Sequence, residues 1–288
     1  MITPAAAARV CSPLLARFIE SHPRLFVLTG AGCSTESGIP DYRDTQGNWK
    51  RSARPMTLQA FMGEEHARRR YWARSLVGWL RIGAARPNDA HRALARLQQQ
   101  GRIAGLVTQN VDGLHQAAGS HEVIDLHGRL DRVRCMGCER RSSRTEHQQT
   151  LLQANPHWGA RLAQDERARP DGDAELCAEE SRDFAVPACA ACGGILKPDV
   201  VFFGESVPPA RVAAARAQLR SADAVLVVGS SLMLYSGYRF IQDAAALGKP
   251  IAAINLGRTR ADELLALKVA RSCAAALAFL LAAPQRAA

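Results

Sequence analysis

The chain has 288 residues, 47% of them hydrophobic, enough to bury a large core as one main domain with a smaller appendage. Its formal net charge is +10, and apart from Lys50, Lys197, Lys249 and Lys268 every basic residue is an arginine. That balance favours anionic ligands such as phosphates, but the arginines are scattered and form no long basic tract, and no run reaches the roughly 20 apolar residues that cross a bilayer.

The first segment, MITPAAAARVCSPLLARFIESHP, has no long apolar stretch followed by a small-residue cleavage site, which argues against secretion. It bears arginines, as a poor mitochondrial presequence would, but reads more simply as a surface helix that turns Leu14, Leu15, Phe18 and Ile19 inward. Short apolar runs then predict buried strands at 24–30 (RLFVLTG), 102–110 (RIAGLVTQN), 121–128 (HEVIDLHG), 222–231 (ADAVLVVGSS) and 250–257 (PIAAINLG). Helical stretches such as 89–100 and 208–220 lie between them. Strands with helical crossovers imply an α/β fold with a parallel sheet covered on both faces. Every one of these strands ends in small or polar residues, and in open α/β sheets that end carries the ligand crevice.

Two regions interrupt the alternation. Residues 45–88, with Trp49, Tyr71, Trp72, Trp79 and many arginines, read as a helical insertion, and residues 129–194 are polar and cysteine-bearing. Together they predict a smaller domain inserted into a discontinuous Rossmann-like domain formed by 13–44, 89–128 and 195–285.

The eight cysteines include Cys135-Met-Gly-Cys138 and Cys189-Ala-Ala-Cys192. Four thiolates in two matched pairs make a closed tetrahedral site, which suits one structural zinc ion better than a redox pair. The 50 residues between Cys138 and Cys189 exceed the usual ribbon spacing and include Cys177, a competing ligand without a cysteine neighbour.

LFVLTGAGCSTESGIPDYRD (25–44) poses a question. Gly30 and Gly32 allow close backbone approach to a pyrophosphate, and the turn offers amide N–H groups to an anion. A hydride-transfer enzyme would continue to a second strand ending in an acid about 20 residues on. Here that place holds GNWKRSARPM, with neither. The run Ser37-Gly38-Ile39-Pro40-Asp41-Tyr42-Arg43 instead supplies Arg43 for a phosphate and Asp41 for a polar ligand group.

Those residues, with TQNVDGLH (108–115), HG (127–128), CGGILKPDVVFFGE (192–205), VVGSSL (227–232) and NLG (255–257) in order, resemble the sirtuins, the NAD-dependent protein deacylases. RYWARSLVGW (70–79), RPDGD (169–173) and YSGYRFI (235–241) are similar to the class II branch, which includes a mitochondrial sirtuin. The resemblance implies that NAD is cleaved at its glycosidic bond, not used for hydride transfer. It places Gly30, Ala31, Gly32 and Thr35 on the pyrophosphate side, and Asp41, Tyr42 and Arg43 in a mobile cofactor loop. Ile39, Asn110 and Asp112 would line the nicotinamide pocket, and Gln109 is a further cofactor contact. Ser230, Asn255 and Cys273 lie towards the adenosine half, and Gly229, Ser231, Leu256 and Gly257 are further cofactor contacts.

An acyl-lysine oxygen is a poor nucleophile, so it captures the ribose carbon only as nicotinamide leaves, and a base must then activate a ribose hydroxyl. His127 is the residue for that role, since imidazole titrates near neutrality. His115 is supportive, and His22, His66, His91 and His157 are surface or packing residues. Val201 and Phe202 would pair with an extended acyl-lysine peptide, with Phe202 lining the acyl tunnel. Tyr71 and Arg74, three apart on a helix, share a face. They either grip an acidic acyl group, as a similar pair does in some sirtuins, or simply belong to a solvated helical face.

The function implied is an NAD-dependent protein-lysine deacylase that transfers the acyl group to ADP-ribose and releases nicotinamide. Protein ADP-ribosyl transfer is the enzymatic alternative. A zinc-ribbon nucleic-acid binder, favoured only by RLDRVRCMGCERR, leaves the glycine loop unexplained, and an NAD sensor leaves the occupied catalytic positions unexplained. The partners expected are acyl-lysine proteins or peptides, with neither membrane nor nucleic acid. The expected setting is a bacterial cytoplasm, with the mitochondrial matrix as the alternative.

Overall fold

The computed structural model describes residues 4–50, 55–163 and 181–282. Cys177 and the RPDGD segment lie outside them. Helix α1 (Pro4–Ser21) leads into β1 (Leu25–Thr29), which two short 3-10 turns follow. Next come α2 (Leu58–Gly63), α3 (Glu65–Ala84), α4 (Asp89–Gln99), β2 (Ile103–Thr108), the single turn α5 (Leu114–Ala117) and β3 (Ile124–Asp125). The chain continues through β4 (Gly128–Cys135), β5 (Arg141–Ser143), α6 (Arg144–Ala154) and β6 (Leu196–Val200). It closes with α7 (Pro209–Ser221), β7 (Ala224–Val228), α8 (Tyr235–Ala246), β8 (Ile251–Ile254), β9 (Leu267–Val269) and α9 (Cys273–Leu277).

Six strands form one parallel sheet in the order β3-β2-β1-β7-β8-β9. Counted by its own strands this is the Rossmann order 3-2-1-4-5-6, with the reversal between β1 and β7. The five residues of β1 and the five of β7 are all buried, as expected of strands covered on both faces. Alternation sends Leu25 and Val27 of β1 into a core with Leu15, Ile19, Leu94 and Leu97, while Phe26 and Leu28 join Leu219, Phe240 and Ile241 on the other face. Each such side chain contributes about 1.5–3 kcal/mol of transfer free energy. On α4 the buried Ala90, Ala93, Leu94 and Leu97 follow helical spacing, and a capping box at Asn88 starts the helix.

The amino-terminal helix buries Leu15 and Ile19 as its pattern implies, but Leu14 is 45% exposed. The predicted strand at 121–128 contracts to Ile124–Asp125, because Glu122 takes a left-handed φ of 50° and Gly128 a φ of +82°. That glycine begins the second, antiparallel sheet, β5-β4-β6, so Leu196–Val200 belongs to the small sheet and the boundary between the two sheets falls after Val200. Around this sheet, Trp72, Phe61, Trp158 and Phe184 form a separate core. Buried Asn155 donates to Ala185 O (2.8 Å) and accepts from Ala185 N (2.7 Å), fixing where the chain returns. Among the described residues no helix is long and apolar enough to cross a membrane.

Candidate active site

The carboxyl ends of β1 and β7 meet at the reversal point of the large sheet. Gly32 N donates to Gly229 O (2.8 Å), and Gly30 N to Val228 O (3.0 Å). A Cβ on Gly30 would lie 2.7 Å from Ser230 Cβ, and one on Gly229, whose φ is +65°, would lie 2.2 Å from Cys33 N. The glycines of the opening motif therefore answer first to the close crossing of two strand-end loops.

Beyond this crossing opens a cleft of about 490 Å³, a volume in the range of small-molecule sites. Its walls include Gly30, Ala31, Gly32, Thr35, Ile39, Asp41, Tyr42, Arg43, Gln109, Asn110, Asp112, Gly229, Ser230, Ser231, Asn255, Leu256, Gly257 and Cys273. All the positions expected to hold a cofactor thus face one cavity, together with His127, Val201, Phe202 and Tyr71. Arg74 lies one turn further along α3, half-buried, and is not part of the wall. The Tyr71 ring is wedged edge-on against Phe61, Trp72 and Phe202, with centroids 5.2–5.4 Å away. The structure therefore brings Tyr71 to the cleft without Arg74.

Behind the glycine turn a polar cluster sets the floor. Ser34 Oγ donates to Asp112 Oδ2 (2.7 Å), and Asn110 Nδ2 donates to both Ser34 Oγ (3.0 Å) and Gly30 O (3.1 Å). Burial pushes the Asp112 carboxyl above its usual range, against the opposing hydrogen bonds from Leu114 N and Ser34. Ser34 is fully buried and escaped the sequence reading, although its position inside GAGCST was the available signal. Cys33, His91 and His115 also approach one another within 4.8 Å. There, however, His91 Nδ1 accepts from Asn88 N (3.3 Å), which leaves its proton on Nε2, and His115 Nε2 donates to Thr29 Oγ1 (2.9 Å). Burial holds His91 down to about 4 and His115 to about 3, so both pack as neutral rings.

His127 stands where β3 gives way to β4. Its Nδ1–H donates to Gln109 O (2.9 Å), because a carbonyl can only accept, and its Nε2 lone pair accepts from Ser236 Oγ (2.9 Å). Burial lowers its pKa to about 4; the Gln109 bond opposes that, and the cations Arg211 and Arg239 add to it. The result is a neutral imidazole with its lone-pair nitrogen fixed. Gly128 makes the bend possible, since a Cβ there would lie 2.0 Å from Asp199 O.

The segment that carries Val201 and Phe202 is tied from below by a residue the sequence reading gave no role. Buried Lys197 ion-pairs with Glu205 (3.0 Å), hydrogen-bonds Val200 O and lies 4.5 Å over the Phe202 ring. Glu205 also accepts from Phe202 N (2.9 Å), and Val201 N donates to His127 O (2.8 Å). The amides of Val201 and Phe202 are therefore already committed, and a peptide pairing here would use carbonyl oxygens. In the loop that follows Pro40, Arg43 donates to Gly47 O (2.7 Å) and stacks 4.3 Å over Trp49, while Asp41 is paired with Lys50.

About the small sheet, Cys135 Sγ lies 3.5 Å from Cys192 Sγ and Cys138 Sγ 3.9 Å from Cys189 Sγ, all four sulfurs falling within 4.8 Å of one another. Zinc–sulfur bonds of about 2.3 Å in a tetrahedron require sulfurs about 3.8 Å apart. Amide N–H groups of Gly137 and Cys138 donate to Cys135 Sγ at 3.4 and 3.5 Å, which favours its thiolate. The cluster fits a structural zinc.

Residues 30–236 match the Sir2 family. The chain belongs to that family. An NAD-dependent protein deacetylase of Xanthomonas axonopodis pv. citri is 67% identical over 93% of this chain and 90% of its own. NAD-dependent protein deacetylase 2 of Bradyrhizobium diazoefficiens is 64% identical over 95% and 99%. A solved Sir2 structure with a p53 peptide and NAD+ aligns with a TM-score of 0.75 and 28% identity over 93% of this chain and 96% of that one. Another, bound to a propionylated peptide, aligns with a TM-score of 0.74 and 27% identity over 93% and 97%.

Proposed function

We infer that this chain is an NAD-dependent protein-lysine deacylase that passes the acyl group to ADP-ribose. The observation that carries the reading is His127, a neutral imidazole that lines a cofactor-sized cleft and is oriented by its Nδ1–H bond to Gln109 O. When bound, NAD supplies the ribose carbon that receives the acyl oxygen and the nicotinamide that leaves. The cleft wall suits that ligand, with Thr35, Ser230, Ser231 and Asn255 as hydrogen-bonding groups and Arg271 as a cation.

Within this reading the Gly30-Ala31-Gly32 turn with Thr35 holds the diphosphate. Asp41, Tyr42 and Arg43 close over it once Arg43 leaves Gly47 and Trp49. Ile39, Gln109, Asn110 and Asp112 receive the nicotinamide. Gly229, Ser230, Ser231, Asn255, Leu256, Gly257 and Cys273 take the adenosine side. His127 Nε2 gives up its bond to Ser236 and accepts the proton of a ribose hydroxyl. Cys135, Cys138, Cys189 and Cys192 hold the zinc, whose closed four-thiolate shell gives it a structural role.

In this reading the acyl end of the substrate, apart from the cleft's cations Arg43, Lys50 and Arg271, takes the apolar part of the wall, Tyr71, Ile82, Leu130, Val200 and Phe202. None of these is a cation, so a carboxylate placed among them would lose hydration without gaining a charged partner. A neutral acyl group such as acetyl suits that wall better than a dicarboxylic one. The bacterial relatives accord with a cytoplasmic setting.

The test is NAD-dependent turnover of acetyl-, glutaryl-, branched dicarboxylic and lipoyl-lysine peptides, followed by mass spectrometry beside His127→Ala. Nicotinamide and O-acyl-ADP-ribose should appear with the acetyl peptide, and the variant should lose about 100-fold or more. Intact acyl peptides together with ADP-ribose on a protein acceptor would replace this reading with ADP-ribosyl transfer.

A further inference from the structure

A second concavity, an open groove, runs from the cleft along α7 and α8. His127, Val201, Phe202, Phe203 and Leu234 line both, so a side chain inserted to reach His127 leaves its neighbouring residues lying along this groove.

The charges of the groove are unequal. Its basic residues are Arg216, Arg220 and Arg239, and its one acid is Glu205. Two of these charges are already answered. Glu205 is taken by Lys197 (3.0 Å), and Arg216 Nε donates to Asp243 Oδ2 (2.8 Å). Arg220 and Arg239 have no ion pair among the described residues. Arg239 lies with its guanidinium 5.0 Å over the half-exposed Tyr235 ring, and its Nε is buried without a hydrogen-bond partner. Because that Nε is enclosed, a carboxylate in the groove would meet the terminal Nη groups of Arg239, which have no ion pair or hydrogen bond among the described residues, and a carboxylate is the acceptor whose shape and charge fit them. The ring beneath holds the guanidinium in place, so little entropy remains to be lost when the acceptor arrives.

Building on the deacylase reading, we propose that the groove selects acyl-lysine segments with an aspartate or glutamate beside the modified lysine, Arg239 receiving that carboxylate and Arg220 reinforcing the field. A lysine- or arginine-rich flank would set like charges against both groups without a carboxylate to relieve them. The protein's net charge of +10 acts in the same direction on the approach of the substrate.

The experiment compares three acetyl-lysine peptides that differ only beside the modified lysine, with aspartate, serine or lysine there. Turnover with NAD is measured for the wild type, Arg239→Gln, Arg239→Lys and Arg220→Gln at low and at high salt. The aspartate peptide should exceed the lysine peptide in kcat/KM by about tenfold at low salt. That ratio should fall several-fold in Arg239→Gln, fall less in Arg220→Gln, recover partly in Arg239→Lys and shrink as salt rises. Damage to the fold would slow all three peptides together and leave the ratio readable. A wild-type ratio near one or in favour of lysine overturns the proposal, as does a ratio that survives in both glutamine variants. Deacylation without charge preference sinks the groove assignment alone, whereas failure to deacylate any peptide in the wider acyl panel sinks the deacylase reading and the proposal with it.

Discussion

The two sheets of this protein are held by different forces. The large one is a stack of continuous apolar runs, and β1, β7 and β8 are buried at every residue. The small one is short and antiparallel, and β5 is exposed throughout. It leans on four converging thiols and on a buried arginine, Arg144, which donates to Gln148 (2.7 Å) and Ser75 (3.0 Å) and lies between Trp72 and Trp79. Apolar burial is spread over many residues and tolerates the loss of one. A metal cluster is concentrated, and removing it takes away its whole contribution at once.

The largest expected effect follows from that contrast. Stripping zinc with a chelator, or Cys135→Ser with Cys138→Ser, should unfold the small sheet while the parallel sheet persists, since structural zinc sites supply on the order of 10 kcal/mol of folding free energy. Amide exchange resolved by segment would show Gly128–Cys135, Arg141–Ser143 and Leu196–Val200 losing protection first. Simultaneous loss in both sheets would mean that they form one cooperative unit, and the contrast would fall. A single core truncation in the large sheet, Leu226→Ala, should cost about 2–5 kcal/mol without selective loss anywhere.

Next in size is the joint between the regions. Gly128→Ala puts a methyl group 2.0 Å from Asp199 O at a φ of +82°, so both backbone strain and a clash oppose it. A loss of about 3 kcal/mol or more is expected, with activity falling further than stability because His127 is the adjacent residue. Equal stability of variant and wild type in a denaturant titration would show that the joint yields.

This comparison also explains what could be read in the sequence. The parallel strands were legible because both faces are apolar, and the cysteine pairs because spacing alone implies convergence. The small sheet was not legible: Arg129, Arg132, Arg134 and Arg141 give its strands a charged pattern that does not look like a sheet. The positions expected to hold a cofactor stand out as motifs, and they line one cleft. The groups that hold those motifs in place were less visible. Ser34, Lys197 and Ser236 act through hydrogen bonds to residues tens of positions away, or by bracing a short turn, and neither leaves a periodic trace. For Tyr71 and Arg74 the three-residue spacing implied a shared face, and of the two only Tyr71 lines the cleft.

A smaller effect separates the regions by pH. His91 and His115 lie beneath the large sheet's cleft, and His147 packs against Trp72 in the small region. Burial depresses all three, to about 4, 3 and 4. Unfolded, each would take up a proton near 6.5, so between that pH and the folded values the unfolded state binds more protons. The stabilisation is therefore complete above pH 6.5 and declines as the pH falls towards 4, on the order of 1 kcal/mol or more per imidazole. With two such rings against one, and His127 a further one at the junction, the large sheet should lose more than the small region, by an amount that the raised carboxyls of Asp112 and Asp125 reduce. Denaturant midpoints with region-specific probes between pH 7 and about 4.5 would check this. Midpoints independent of pH would show that the rings are hydrated and free to protonate.

The smallest effect concerns the base itself. His127 is kept neutral first by burial and then by the cations Arg211 and Arg239, with the Gln109 bond working the other way. The acid limb of kcat/KM should therefore lie well below 6.5, and activity should hold nearly level from pH 7 to about 5.5. Arg239→Gln removes one of the like charges, so protonation becomes easier and the limb should move upward by roughly half a unit or less. That direction separates an electrostatic neighbour from a packing one, because a merely loosened pocket would lower kcat/KM at every pH alike. A limb already near 6.5 in the wild type would instead mean that the cleft admits enough water to give His127 an ordinary titration, and the fixed neutral base would have to be abandoned.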